Sequence, residues 1–268
     1  MKRIYNILSV VVVAFMLFSC GSKEEKTDNA LLSRARAEFE KGNYNATRRL
    51  IDSIKIVSPT AYSTLREAEI LRREAMIKER ERDVAFCEEE LQRLKSERDE
   101  LASNFVSDKT KFYTVKSQDL SKNTKNNFLK ASVDENGTMY LTSFYRGKSI
   151  KHTTVKLTCN SVYKSCDKPF KERNYKDNGI NNERRDYKYG EDDGLIDFIS
   201  IATGKIEVEL SGEKGKVTYT LRDSDAAAVR EILKLQRAIV AVPEMEKKLK
   251  EAKYYLACLK GSTNVAGE

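Results

Sequence analysis

The chain has 268 residues, with 49 Lys and Arg against 41 Asp and Glu, so its formal charge is +8 at neutral pH. Charged residues make up 34%, there are three prolines and no tryptophan, a composition that favours long helices over an all-β protein and, at this length, allows two modest domains. The five cysteines lack the spacing of a zinc site, and a catalytic cysteine would find only one histidine, His152, as its base.

Lys2 and Arg3 precede an uncharged apolar run, Ile7 to Phe18, that is too short to span a bilayer, where roughly 20 apolar residues are needed. The run ends at Leu17-Phe18-Ser19-Cys20 and a polar stretch, Gly21 to Lys26, follows at once. Residues 1–19 are therefore expected to be a cleaved signal peptide and 20–29 a tether, and the lipobox resemblance given next implies that Cys20 is the lipid-carrying first residue of the mature chain. Cleavage removes Lys2 and Arg3 and lowers the charge to +6.

Leu17 and Ser19 match the lipobox positions of bacterial lipoproteins, and Phe18 is similar to the bulkier residues of relaxed Bacteroidetes lipoboxes. Lys23-Glu24-Glu25 resembles the short Lys-acidic signal that routes some Bacteroidetes lipoproteins to the cell surface. The resemblance implies a lipid anchor in the cell envelope, at the outer membrane, on its periplasmic or its exposed side. Nucleic acid is then not a natural partner. The membrane is met through the lipid, and the positive charge suits an anionic glycan or an envelope protein.

Leu32, Ala35 and Phe39 precede the breaker Gly42-Asn43, and Leu50, Ile51, Ile54 and Val57 follow it, which predicts a helical hairpin over 30–59. Gly42, Tyr44 and Pro59 fall where the second half of a tetratricopeptide repeat has its turn glycine, groove-filling aromatic and helix-bounding proline. The segment resembles one such repeat, with Thr47 where that family prefers Ala.

Over 60–108 the pattern becomes a long charged helix. Val84, Cys87, Leu91, Leu94, Arg98, Leu101 and Phe105 alternate in steps of four and three, a heptad seam that extends back through Ile70 and Ile77. Arg73, Arg80 and Arg98 make it leaky. A matching seam over 222–260 opens at the N-cap pair Asp223-Ser224 and runs Ala228, Ile232, Leu235, Ile239, Val242, then Met245, Leu249, Ala252, Leu256, Leu259. The short step from Val242 to Met245, with Pro243 inside it, predicts a kink or break. Joined near 105 and 223, the seams predict an antiparallel coiled coil roughly 50 Å long, with Cys87 and Cys258 roughly 25 Å apart along the axis. Leaky seams also suit pairing between chains, as a homo-oligomer.

Between the seams, over 109–221, the composition turns to β. Strands are predicted at Phe112 to Val115, Phe128 to Val133, Met139 to Phe144, Val155 to Cys159, Ile196 to Ile201, Ile206 to Leu210 and Val217 to Leu221. Asn136-Gly137 signals a tight hairpin, because both residues accept positive φ. Thr203-Gly204 and Glu213-Lys214-Gly215 are expected to close the last two hairpins. The polar stretch 160–194 reads as an irregular loop with at most one short strand. The expected fold is α+β: an N-terminal helical hairpin and long antiparallel coiled-coil helices carrying an inserted antiparallel β-sandwich-like domain, with a tail at 261–268.

Candidate chemistry is sparse. Cys159 and Cys166 are the pair close enough in sequence for a disulfide, and Cys87 reads as a seam residue. Glu191-Asp192-Asp193 offers acids for catalysis or calcium, but consecutive acids beside Gly194 read as a solvated loop. Asp177-Asn178-Gly179 lacks the later ligands of a calcium loop. His152, with no second ligand or nucleophile near it in sequence, reads as a surface residue. No cofactor and no metal is expected.

Charge is uneven along the β region. Residues 109–188 hold 18 Lys and Arg against eight Asp and Glu, whereas 189–221 hold three against seven. Lys148, Lys151, Lys156, Arg184 and Arg185 are accordingly the candidate binding residues. The pattern predicts a non-enzymatic envelope lipoprotein whose helices hold a basic β-domain away from the membrane for contact with protein or glycan. It resembles uncharacterised Bacteroidetes envelope lipoproteins, a likeness that implies an address and no activity. The alternative is a hydrolase of envelope polymers using Glu191, Asp192 and Asp193, which requires two acids facing each other within about 10 Å.

Overall fold

The computed structural model describes residues 21–107, 111–118 and 127–261. The expected signal peptide, the lipid-bearing Cys20, Lys109 at the predicted domain edge and the tail from 262 onward lie outside them. The fold is α+β, with five helices and ten antiparallel strands among the described residues. Two compact units divide the chain, Met1–Glu89 with Lys247–Glu268, and Glu90–Glu246. Among the described residues no helix is long and apolar enough to cross a membrane.

The first unit contains α1 (Gly21–Glu40), α2 (Tyr44–Val57), the start of α3 (Tyr62–Ser103) and the end of α5 (Asp223–Gly261). Helix α1 begins at Gly21, so most of the expected tether is helical. It ends as the sequence suggests. Gly42 takes φ +74° and donates to Phe39 O, and the Asn43 amide reaches Glu38 O, the paired bonds by which a glycine turn satisfies the last carbonyls of a helix. Leu32 and Ala35 of α1 then meet Ile51 and Ile54 of α2 and Ala68 and Leu71 of α3 in one small core. Ile70, expected in the seam, is exposed, because the face that α3 buries here carries Ala68, Leu71 and Ala75.

Farther along the same unit, Lys253 pairs with Glu88 at 2.7 Å and Lys260 with Glu81 at 2.8 Å. Seven residues down α3 match seven residues up α5, so these segments run antiparallel. The register differs from the expected one: Cys87 is level with Tyr254, and Cys258 lies one turn away, about 6 Å along the axis. The reason is visible in the second unit, where Lys95 pairs with Glu246 at 2.9 Å. Counting from that pair sets Ser103, the end of α3, level with Ala238. The turns of α5 before Ala238 instead bury Ala226, Val229, Ile232 and Leu233 in the β core. Helix α5 also passes through Pro243 without a break.

The second unit has two sheets. One has the order β1-β2-β3-β4-β8-β7, from β1 (Val106–Ser107), β2 (Phe112–Thr114), β3 (Phe128–Asp134), β4 (Met139–Gly147), β7 (Lys171–Asp177) and β8 (Ile180–Lys188). The other has the order β10-β9-β5-β6, from β5 (His152–Cys159), β6 (Val162–Cys166), β9 (Glu207–Gly212) and β10 (Gly215–Thr220). One hydrophobic core takes Leu129, Val133 and Leu141 from the first sheet and Val155, Leu157, Val208 and Leu210 from the second. At the β3–β4 turn Gly137 alone takes positive φ, and a Cβ there would meet a Val240 methyl at 2.6 Å.

Four expectations for this region are corrected. Ile196 to Ile201 belongs to a helix, α4 (Leu195–Ile201), because a short apolar run buried from several sides fits either period, and the Asp192 carboxylate accepts the Ile196 amide at 2.8 Å to start the turn. Thr203-Gly204 therefore closes no hairpin. The polar stretch 160–194 holds three strands, β6, β7 and β8, and β7 is polar because it is a solvent-exposed sheet edge. Cys159 and Cys166 are free thiols. In the β5–β6 pairing Cys159 faces Val162 and Cys166 faces Val155, about 13 Å apart along the strands, whereas a disulfide needs Cα atoms within about 7 Å.

Candidate functional site

Strands β4 and β8 lie side by side in the middle of the larger sheet, Ser143 opposite Arg185 and Tyr145 opposite Glu183. Alternation sends these residues toward the core and their neighbours Thr142, Phe144, Arg184 and Asp186 to the other face. Each face holds a polar cluster.

On the inner face, Glu183 gathers five donors. Its Oε1 accepts from the Ser149 hydroxyl at 2.8 Å and from the amides of Ile150 and Lys151 at 3.0 and 2.9 Å. Its Oε2 accepts from the amide and Nδ1 of His152, both at 2.8 Å. Burial alone would raise this carboxyl, but the amides of His152 and Lys151 and the Ser149 hydroxyl outweigh it and hold the group down at about 2. Burial also keeps His152 below its ordinary value, hence neutral. Since a carboxylate only accepts, Nδ1 carries the proton, and Nε2, 2.8 Å from Ser143 Oγ, accepts from that hydroxyl. Arg185 lies beside them. Its Nε donates to His152 O at 2.6 Å, its Nη1 to Asn174 Oδ1 at 2.9 Å, and Glu172 sits 3.3 Å away.

The order Ser143, His152, Glu183 is that of a nucleophile, a base and an orienting acid. Ser143 and His152 are nevertheless fully buried and Glu183 is 2% exposed, so no substrate carbonyl reaches the hydroxyl. In this form the network ties β4 and β8 of one sheet to the entrance of β5 in the other. His152 is thus a core residue and not the surface residue expected. Its partners stand nine residues before it and 31 after it, beyond any local motif.

The outer face of the same strands carries a groove of about 320 Å³. Phe112, Tyr140 and Phe170 form a row across it, with ring centroids 6.0 and 5.5 Å apart. Lys130, Lys171, Arg173 and Arg184 line it against one carboxylate, Asp186, and Thr114, Ser132 and Thr142 add hydroxyls. Thr142 donates to Asp186 at 2.6 Å, and Arg184 Nε donates to it at 3.0 Å while its guanidinium lies 5.5 Å from the Phe144 ring centroid. Lys171 and Arg173 have no acidic partner among the described residues. A second hollow of about 250 Å³, lined by Phe144, Arg173, Tyr175 and Arg184, continues the groove along β7 and β8.

Of the five candidate binding residues, only Arg184 lines this groove. Arg185 is 1% exposed and its guanidinium is spent inside, which removes it from any docking surface. Lys148 is exposed and its carbonyl accepts from the Tyr145 hydroxyl; Lys151 pairs with Glu213; Lys156 lies over the Tyr163 ring on the other sheet. Lys130, Lys171 and Arg173 were missed. The alternation Lys171, Arg173, Tyr175 marks them once β7 is recognised as a strand.

The three consecutive acids have separate tasks. Glu191 pairs with Lys188, buried Asp192 accepts the amides of Gly190 and Ile196, and Asp193 turns the chain with φ +49°. Among the described residues no cluster of three His, Cys, Asp or Glu is placed to hold a metal ion. No protein-family model matches the chain, and no curated protein and no solved structure matches it either.

Proposed function

We propose that the protein is a non-enzymatic, lipid-anchored envelope protein in which paired long helices act as a coiled-coil spacer. A β-sandwich-like domain then binds an anionic envelope component, glycan or protein. The supporting observation is the outer groove, where four cations share one carboxylate beside a row of aromatic rings and two of the cations have no acidic partner among the described residues. Charge of this kind draws anionic partners over several ångströms and weakens with salt. The proposed address, outer membrane with the lipid on Cys20, rests on Leu17-Phe18-Ser19-Cys20 in the sequence.

The test uses the leaderless chain carrying Cys20→Ala, mixed with isolated envelope material and sedimented. The chain should pellet at low salt, stay soluble at high salt, and stay soluble at any salt when Arg173 and Arg184 are both replaced by Glu. Pelleting that ignores both salt and the double substitution would remove the groove from the function. In cells, Cys20→Ala should abolish acyl labelling.

A further inference from the structure

We infer that the outer groove recognises an acidic sugar chain, a polymer whose pyranose rings carry carboxylates. The inference rests on the proposal that this face is the binding part of the protein, and it names the ligand class.

Three features of the groove select that chemistry together. The first is the row Phe112, Tyr140, Phe170, which crosses the sheet from β2 over β4 to the residue before β7. Phe170 is 57% exposed. Such rings give the C–H faces of sugars an apolar platform that loses little conformational entropy on binding, since each ring has two rotatable bonds. The second is the planar guanidinium of Arg173, which, like Lys171 two residues away on the same face of β7, has no acidic partner among the described residues. A guanidinium fork matches a carboxylate with two parallel hydrogen bonds.

The third feature separates a carboxylated sugar from denser anions and from peptides. The same groove holds the Asp186 carboxylate, which accepts from Thr142 and Arg184, and the hydroxyls of Thr114 and Ser132. A polyphosphate would meet repulsion from Asp186, whereas a sugar offers hydroxyl donors to it. An acidic peptide would gain most by adding a strand to the free edge of β7, satisfying its own backbone there. The groove instead lies on the face of the sheet, where no backbone groups are offered.

The probes are short oligomers of galacturonate, mannuronate and glucuronate, with poly-glutamate and inorganic polyphosphate as charge controls. Each is titrated calorimetrically into the leaderless chain carrying Cys20→Ala. At least one uronate oligomer should bind, and Arg173→Ala with Arg184→Ala should weaken it about tenfold or more, the loss expected from charge-assisted hydrogen bonds. Phe170→Ala should weaken it severalfold while leaving thermal unfolding unchanged, because that ring is mostly in solvent. Failure of all three uronates, equal or tighter binding of poly-glutamate or polyphosphate, or indifference to Phe170→Ala would each overturn the assignment. If uronates fail while salt-sensitive pelleting with envelope material persists, the ligand class falls and the binding role stands; if both fail, both fall.

Discussion

The larger sheet turns two kinds of polar surface to its two sides. Inward, Ser143, Glu183 and Arg185 make hydrogen bonds to His152, the loop 149–151 and Asn174. Outward, Lys171 and Arg173 make no ion pair among the described residues, although Lys171 stands opposite Asp186 in the register, and Arg184 shares Asp186 with Thr142. Arg184 and Arg185 are neighbours in the chain, yet one belongs to each surface. A buried polar group left without a partner costs its full desolvation, so the inner cluster is a closed set that fixes geometry. An exposed cation keeps its hydration until a ligand displaces it, so the outer cluster is free to serve binding.

Breaking the inner set should cost most. Glu183→Ala leaves five buried or half-buried donors without their acceptor and should destabilise the protein by about 3 to 5 kcal/mol in denaturant unfolding. A loss below about 1 kcal/mol would mean the set is not closed. Gly212 faces the same loop from β9: a Cβ there would come within 1.9 Å of Lys151 O and 2.6 Å of His152 Cα. Backbone cannot yield as a side-chain tip does, and Gly212→Ala should cost about 3 kcal/mol. Retained stability in that variant would show that the loop closes loosely over Glu183.

Acid should dissolve the inner set in two steps with the same sign. Burial keeps His152 from taking a proton that the unfolded chain binds near pH 6.5, so the unfolded state carries more protons and stability falls as pH drops below that point. Glu183 stays ionised down to about 2 in the folded chain but protonates near 4.5 when unfolded. A second loss, up to about 3 kcal/mol, should therefore accumulate between about pH 4.5 and 2. Urea midpoints across this range should show both. Because the chain has one histidine, His152→Gln should erase the upper step and leave the lower; an upper step that survives would assign it elsewhere.

The contrast between faces also explains what sequence reasoning caught. Ala228, Ile232, Leu235, Ile239 and Val242 of α5 are buried, as their apolar periodicity implies, but Ile232, Leu235 and Ile239 belong to the β core, which spacing alone does not distinguish from a partner helix. Most apolar strands were found for the same reason. Strand β8 was missed because its inner face carries Glu183 and Arg185 in place of aliphatic residues, and β7 because both its sides are polar. The basic surplus of residues 109–188 was legible as a count. Which cations reach solvent was not, because that depends on strand parity, and parity is invisible in a stretch read as loop.

The smallest effect should come from the outer face, and it sharpens the comparison most. Arg184→Ala removes both guanidinium contacts to Asp186, from Nε to Oδ1 at 3.0 Å and from Nη2 to Oδ2 at 3.4 Å, but the Thr142 hydroxyl stays on Oδ1 at 2.6 Å and the carboxylate is only partly buried, so water can reach Oδ2. Arg173 has no acidic partner to lose. An exposed charge pair contributes about 0.2 to 1 kcal/mol, and each substitution should stay within that range. Arg185→Ala, one residue along β8, removes a buried guanidinium from His152 O and Asn174 and leaves the Glu172 and Glu183 carboxylates to share less positive charge. It should cost several times more. Parallel unfolding of the Arg184 and Arg185 variants checks this with a single pair of proteins: similar losses would mean that the two arginines do the same work, and the division of the sheet into a structural inside and a binding outside would fail.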